Sequence, residues 1–184
     1  MTEIASSRQL RAGIMRWAIV LVPAILLLGF LSAKLGNSGP DNPWFAALAK
    51  PGIYPPPIAF PVVWTLLYVL MGVALAMIVS ARGSSARGAA IVLFVAQLLA
   101  NLAWTPLFFG AHRMSAALVL LAGLDVLVLA MVVVFSRVRP VAAGLMLPYL
   151  AWVLFATLLN WQFLVLNPLS DGVQTSAVVA HIRL

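Results

Sequence analysis

Cysteine is absent from this 184-residue sequence, which removes disulfide frameworks, thiolate metal sites and thiol nucleophiles at once. Charge is nearly as scarce. Asp, Glu, Lys and Arg make up 8% of residues, where a soluble domain carries about a quarter. There are two histidines, His112 and His181, neither with carboxylates at ligand spacing, so no metal site is expected. No nucleophile, base and orienter can be assembled from the Ser, Thr and Asp residues, and no catalytic set or bound cofactor is assigned. What remains is apolar: 64% hydrophobic residues and a mean hydropathy of +1.10. Such a chain lacks the polar coat a soluble globule needs and reads as a membrane protein. The net charge of +7 and pI near 11.2 would otherwise raise nucleic acid, but the basic residues sit singly or in pairs between apolar runs. They read as topology signals, and no nucleic-acid partner is expected.

Five runs approach the roughly 20 apolar residues that a spanning helix needs: Trp17 to Ala33, Ile58 to Ser80, Ala89 to Phe109, Met114 to Phe135 and Val141 to Leu166. Backbone in lipid must satisfy its own hydrogen bonds, and the alternation of barrel strands is missing, so the fold class is an all-α five-helix transmembrane bundle. Short joints make neighbours antiparallel. The expected organisation is a basic N-terminal segment (1–16), one transmembrane domain (17–168) and a frayed polar tail (169–184). A signal peptide is the alternative for the first run, but Leu31-Ser32-Ala33-Lys34 is a poor cleavage site. Basic residues favour the N-terminal side, with Arg8, Arg11, Arg16, Arg82, Arg87, Arg137 and Arg139 against Lys34, Lys50, Arg113 and Arg183. That bias predicts a cytoplasmic N-terminus.

The one long connection runs from Leu35 to Pro57. Asn42 can cap and Pro43 can start a helix of one or two turns, which the later prolines must end. The segment is either a lid over a binding site or a stiff proline spacer. Within the spans, Trp64 and Tyr68 are one turn apart. Gln97, Asn101, Trp104 and Phe108 fall at helical spacing on the third, and Tyr149, Trp152, Ala156, Asn160, Phe163 and Asn167 do so on the fifth. Amides in a bilayer need partners, so these stripes face inward, as interhelical glue or as the walls of a pocket for a flat apolar ligand. Ala96 and Ala100 form a small-xxx-small face on which two copies could meet, unless they pack within the monomer. Asp125 is the only acid inside a span; it is expected to be protonated or hydrogen-bonded within the bundle, with a transport role as the alternative.

Asn42-Pro43-Trp44, Lys50-Pro51, Pro55-Pro56, Phe60-Pro61 and Trp64-Thr65-Leu66-Leu67-Tyr68, then Gln97 through Gly110, then Pro148-Tyr149-Leu150-Ala151-Trp152 to Asn160, together resemble the TspO/MBR family. The likeness runs from about residue 14 to 168. It implies a five-helix bundle, often dimeric, that binds porphyrins and sometimes sterols in a cavity closed by the first loop. The ligand-binding residues it implies, with the stripes above, are Trp44, Phe45, Pro55, Phe60, Trp64, Tyr68, Gln97, Asn101, Trp104, Tyr149, Trp152, Ala156 and Asn160. Stacking is expected on Trp64, Trp104 and Trp152. Lys34 and Lys50 stand near the rim, where they would meet propionates or simply snorkel. The sequence departs from the family at Ile53, where Trp is usual, at Phe45, where Tyr is usual, and at Trp161 and Val165, where a Tyr and a downstream Arg are usual. The last departure removes a sterol-recognition pattern, itself a weak signal. The expected role is binding of a porphyrin, for sensing, sequestration or transport, in a multi-pass bacterial cell membrane protein in contact with lipid. Photooxidative porphyrin breakdown involving Trp64 and Trp152, or a lipid-binding regulatory partner, are the alternatives.

Overall fold

A computed structural model describes residues 7–173, with side chains from residue 11 on. Among the described residues there are six α-helices: α1 (Ser7–Leu35), α2 (Pro43–Ala47), α3 (Ala59–Ser80), α4 (Arg87–Thr105), α5 (Met114–Val138) and α6 (Pro140–Leu166). A π-helical turn at Pro106–Gly110 extends α4, and a 3₁₀ turn follows at Pro168–Ser170. Among the described residues five helices are long and apolar enough to cross a membrane; α2 lies in the long connection. Around the bundle α1 packs on α3, α3 on α6, α6 on α5 and α5 on α4.

The first helix begins ten residues before the expected start at Trp17. Arg and Gln are good helix formers, so a helix need not stop where its apolar run does; the expected N-terminal segment 1–16 therefore divides, with 1–6 outside the described residues. α1 is fastened to the bundle. Ile25 is buried, and Gly29 and Gly72 let α1 and α3 approach so closely that Tyr68 and Val22 occupy the space where a Cβ would stand. Pro106 supplies no N–H to the carbonyl four residues back. That carbonyl, Leu102 O, instead accepts from the Ser32 hydroxyl of α1 at 2.6 Å. The π turn closes with Ala111 N–H donating to Pro106 O at 2.8 Å.

The expected frayed tail is corrected for its described part. Gly172 N–H donates to His112 O at 2.7 Å, Trp44 Nε1 to Ser170 O at 3.2 Å and Ser115 N–H to Asp171 Oδ1 at 3.3 Å. A polar segment stays ordered when its backbone finds such partners; residues 174–184 lie outside the described residues. Asp125 accepts from the Thr157 hydroxyl of α6 at 2.8 Å, a hydrogen bond within the bundle. Ala96 and Ala100 are half-buried and Ala100 packs against the core, so a second copy approaching α4 would meet Val92, Val95 and Leu99 first.

Candidate functional site

Asn42 sets the local geometry of the long connection. Its Oδ1 accepts from Phe45 N–H at 3.0 Å, capping α2, while Nδ2 donates to Asn37 O at 3.0 Å and Phe109 O at 3.1 Å. Asn167, just past α6, holds the other side of the connection: Ala49 N–H donates to its Oδ1 at 2.8 Å, and its Nδ2 donates to Ala49 O at 3.1 Å and to Phe163 O at 2.9 Å. Trp44 is buried beneath, stacked on His112 with centroids 4.6 Å apart. The connection is a fastened roof.

Under it lies a cavity of about 540 Å³, within the roughly 300–1,000 Å³ of small-molecule sites. Phe60, Trp64 and Tyr68 recur every four residues on α3 and form one wall. Trp104 of α4 and Phe108 and Phe109 of the π turn form another. Ala156, Leu159, Asn160 and Phe163 come from α6, Gly29, Phe30 and Ala33 from α1, and Phe45, Tyr54 and Pro57 from the roof. Phe30, Ile58, Pro61 and Thr65 line the cavity and are also exposed, which puts its open side between the end of α1 and the start of α3.

Tyr68, Trp104 and Asn160 on the lining are tied into hydrogen bonds. Tyr68 donates its hydroxyl to Asn101 Oδ1 at 3.2 Å, Trp104 Nε1 to Asn160 Oδ1 at 3.2 Å, and Asn160 Nδ2 to Met114 O at 2.9 Å. Each bond joins two helices or a helix to the chain entering α5. A ligand therefore meets aromatic faces with few unsatisfied polar groups, an arrangement suited to a flat apolar molecule.

Seven of the candidate residues line this cavity: Phe45, Phe60, Trp64, Tyr68, Trp104, Ala156 and Asn160. Asn101 and Trp152 line a smaller space of about 40 Å³ behind it. Four lie elsewhere. Trp44 is buried off the cavity wall, and Pro55 is half-buried but also off the wall. Gln97 and Tyr149 are fully buried in the core, where the Tyr149 hydroxyl donates to Gln97 Oε1 at 2.8 Å. Gln97 Nε2 finds no partner among the described residues. The stacking expectation is accordingly revised: Trp64 and Trp104 border the large cavity, and Trp152 borders only the small one. Lys50 is not free at the rim, since its ammonium donates to Leu48 O at 2.8 Å and to Phe45 O and sits 4.4 Å from the Phe45 ring centroid. Burial lowers its pKa and raises that of Tyr54. Lys34 is exposed and off the wall.

Sequence reasoning missed the α1 wall, because Gly29, Phe30 and Ala33 carry no polar signal in an apolar run. It also missed Tyr54, whose ring lies 5.4 Å from Phe60 and 5.8 Å from Phe163; an aromatic among prolines was a usable clue.

Compared with known proteins, residues 19–166 match the TspO/MBR family. The chain is 38% identical over 144 residues to tryptophan-rich protein TspO of Chlorobaculum tepidum, covering 78% of this chain and 90% of that protein. It is 41% identical over 143 residues to the translocator protein of Sus scrofa, covering 77% and 83%. To the tryptophan-rich sensory protein of Cereibacter sphaeroides it is 36% identical over 153 residues, covering 83% and 94%.

Proposed function

The chain belongs to the TspO/MBR family and is a multi-pass membrane protein with five membrane-spanning helices, and from that premise we propose that it binds a porphyrin in the cavity under its first loop, to sense, sequester or move it. The observation that carries this reading is the aromatic cavity itself: about 540 Å³, with Trp64, Trp104, Phe60 and Phe108 on its walls and its one amide, Asn160, already paired on both sides. Flat π faces reward a planar macrocycle, while carboxylates at its edge reach water or headgroups without burial. The open side between α1 and α3 admits a ligand dissolved in the bilayer. Trp161 and Val165 are exposed on the outer face of α6, away from the cavity wall, so sterol recognition through that stretch is not part of the proposal.

The decisive experiment titrates purified protein with protoporphyrin and follows tryptophan quenching in the dark, then under illumination. Saturable quenching in the dark is expected. Absence of saturation would overturn the reading and leave a lipid-binding regulatory role. Because Trp64 and Trp104 would touch a bound photosensitiser, loss of porphyrin absorption in light, blocked by Trp→Phe changes, would identify breakdown as the activity.

Ala156 lines both cavities, whereas Ala151 faces outward. Thr at 156 adds volume to a packed wall, and its hydroxyl competes for the carbonyl four residues back. Ala156→Thr is expected to weaken porphyrin binding by about 1–2 kcal/mol, with Ala151→Thr at the parent's affinity. Equal affinities for all three would remove α6 from the site.

The proposed orientation places the N-terminus in the cytoplasm of a bacterial cell and the roof on the outer face. A reporter fused at Leu184 should be active only outside the cytoplasm. Dimerisation through α4 is proposed with Val92, Val95 and Leu99 at the contact beside Ala96 and Ala100.

A further inference from the structure

We propose that the small cavity behind the main one is a substituent pocket: it takes a side group of one or two carbons on the ring edge of the bound ligand and so fixes which edge points inward. This rests on the porphyrin reading of the main cavity.

The two cavities share Phe60, Trp64, Trp104, Ala156 and Leu159, and the smaller is closed at its far end by Leu121, Leu124, Trp152 and Val153. Its volume is about 40 Å³, against about 540 Å³ for the main cavity on the same measure. A macrocycle cannot enter it; a methyl, vinyl or ethyl group can. Leu121, Leu124 and Val153 are each 3% exposed or less, so the far wall is backed by packed core and resists swelling.

Chemistry narrows the occupant further. Asn101 is the one amide on the lining and its Oδ1 already accepts from Tyr68; the other polar atoms there are the indole N–H groups of Trp64, Trp104 and Trp152. The rest of the lining is aromatic and aliphatic surface, which rewards burial of an apolar group. A carboxylate would be buried with no cation on the lining. Small alkyl groups therefore point inward and carboxylates outward. This also accounts for Trp152, which borders the small cavity without bordering the large one.

The test uses three porphyrins with the same two propionates that differ only at two ring positions: vinyl in protoporphyrin, ethyl in mesoporphyrin and hydrogen in deuteroporphyrin. Affinities are read by tryptophan quenching in the dark. All three also carry ring methyls, so the hydrogen compound can seat a methyl in the pocket; the vinyl and ethyl groups bury one carbon more, roughly 0.8 kcal/mol, and should bind about fourfold more tightly. Val153→Ile fills the pocket by one carbon and should reduce that preference to about twofold or less. Leu124→Val enlarges it and should favour ethyl over vinyl relative to the parent. Saturable binding with equal affinity for all three porphyrins would overturn the pocket and leave the main site standing. A preference that survives Val153→Ile unchanged would also overturn it, by assigning the effect to general hydrophobicity. No saturable quenching by any of the three would overturn both readings.

Discussion

Gly29→Ala is expected to reduce porphyrin affinity by more than tenfold while the bundle still folds, and Gly72→Leu is expected to prevent folding altogether. Both glycines sit where α1 crosses α3, yet the obstacles differ. A Cβ on Gly29 would fall within the Tyr68 ring, which is a side chain with an open cavity beside it. The ring can swing away, but only into the cavity and only by giving up its bond to Asn101. Loss of that bond leaves a buried acceptor and costs about 1–3 kcal/mol. At Gly72 a Cβ would stand 2.8 Å from the Val22 Cα and 3.1 Å from its backbone nitrogen. Backbone cannot rotate out of the way, so the helices must separate, and a leucine there exceeds the roughly 1–3 kcal/mol typical of overpacking. Thermal unfolding in detergent followed by circular dichroism, with the dark quenching titration, separates the two outcomes. Parent-like melting and affinity for Gly29→Ala would mean that α1 does not hold Tyr68 in place. Tyr68→Phe, which removes the bond and keeps the shape, should retain most of the affinity.

Asn167→Ala is expected to loosen the roof, with faster proteolysis between residues 36 and 57 and faster release of bound porphyrin. The side chain makes three bonds, two of them with Ala49 and running in opposite directions. Their loss costs about 1–3 kcal/mol, toward the lower end because Ala49 is exposed and its backbone groups can turn to water. Asn167→Asp is the sharper test. The carboxylate still accepts from Ala49 N–H but faces the carbonyls of Ala49 and Phe163, to which the amide donated. That repulsion raises the carboxyl's folded pKa above its unfolded value, so the stability lost at neutral pH returns as pH falls through the folded pKa and one donor is restored. Asp should therefore be worse than Ala at pH 7 and recover toward the parent at acidic pH. A roof as protease-resistant as the parent's in both variants would mean that Asn42 and Trp44 hold it without Asn167.

Much of this molecule is written in short-range pattern. Five apolar runs are legible because the bilayer imposes one length on every span. The short helix after Asn42 was predictable because a cap and a first-turn proline act within four residues. The wall of Phe60, Trp64 and Tyr68 follows from helical spacing alone. Partner choice is different. Gln97 and Tyr149 carry the same stripe signal as Asn101 and Asn160, but Gln97 and Tyr149 meet deep in the core while the other two border the cavities. Trp44 reads as a wall of the site and stands behind it, because its indole finds Ser170 and His112 on the far side. Lys50 reads as a rim cation and curls back onto the carbonyls of Phe45 and Leu48 at the end of α2. Even the Leu102 carbonyl left open by Pro106 is answered from another helix, by Ser32. Sequence sets where each helix lies and which face is apolar, since those depend on neighbours three and four residues away. Which hydroxyl meets which amide, and which wall bounds the cavity, depend on the register between helices tens of residues apart. Packing contacts such as Gly29 on Tyr68 set that register, and only the assembled bundle contains them.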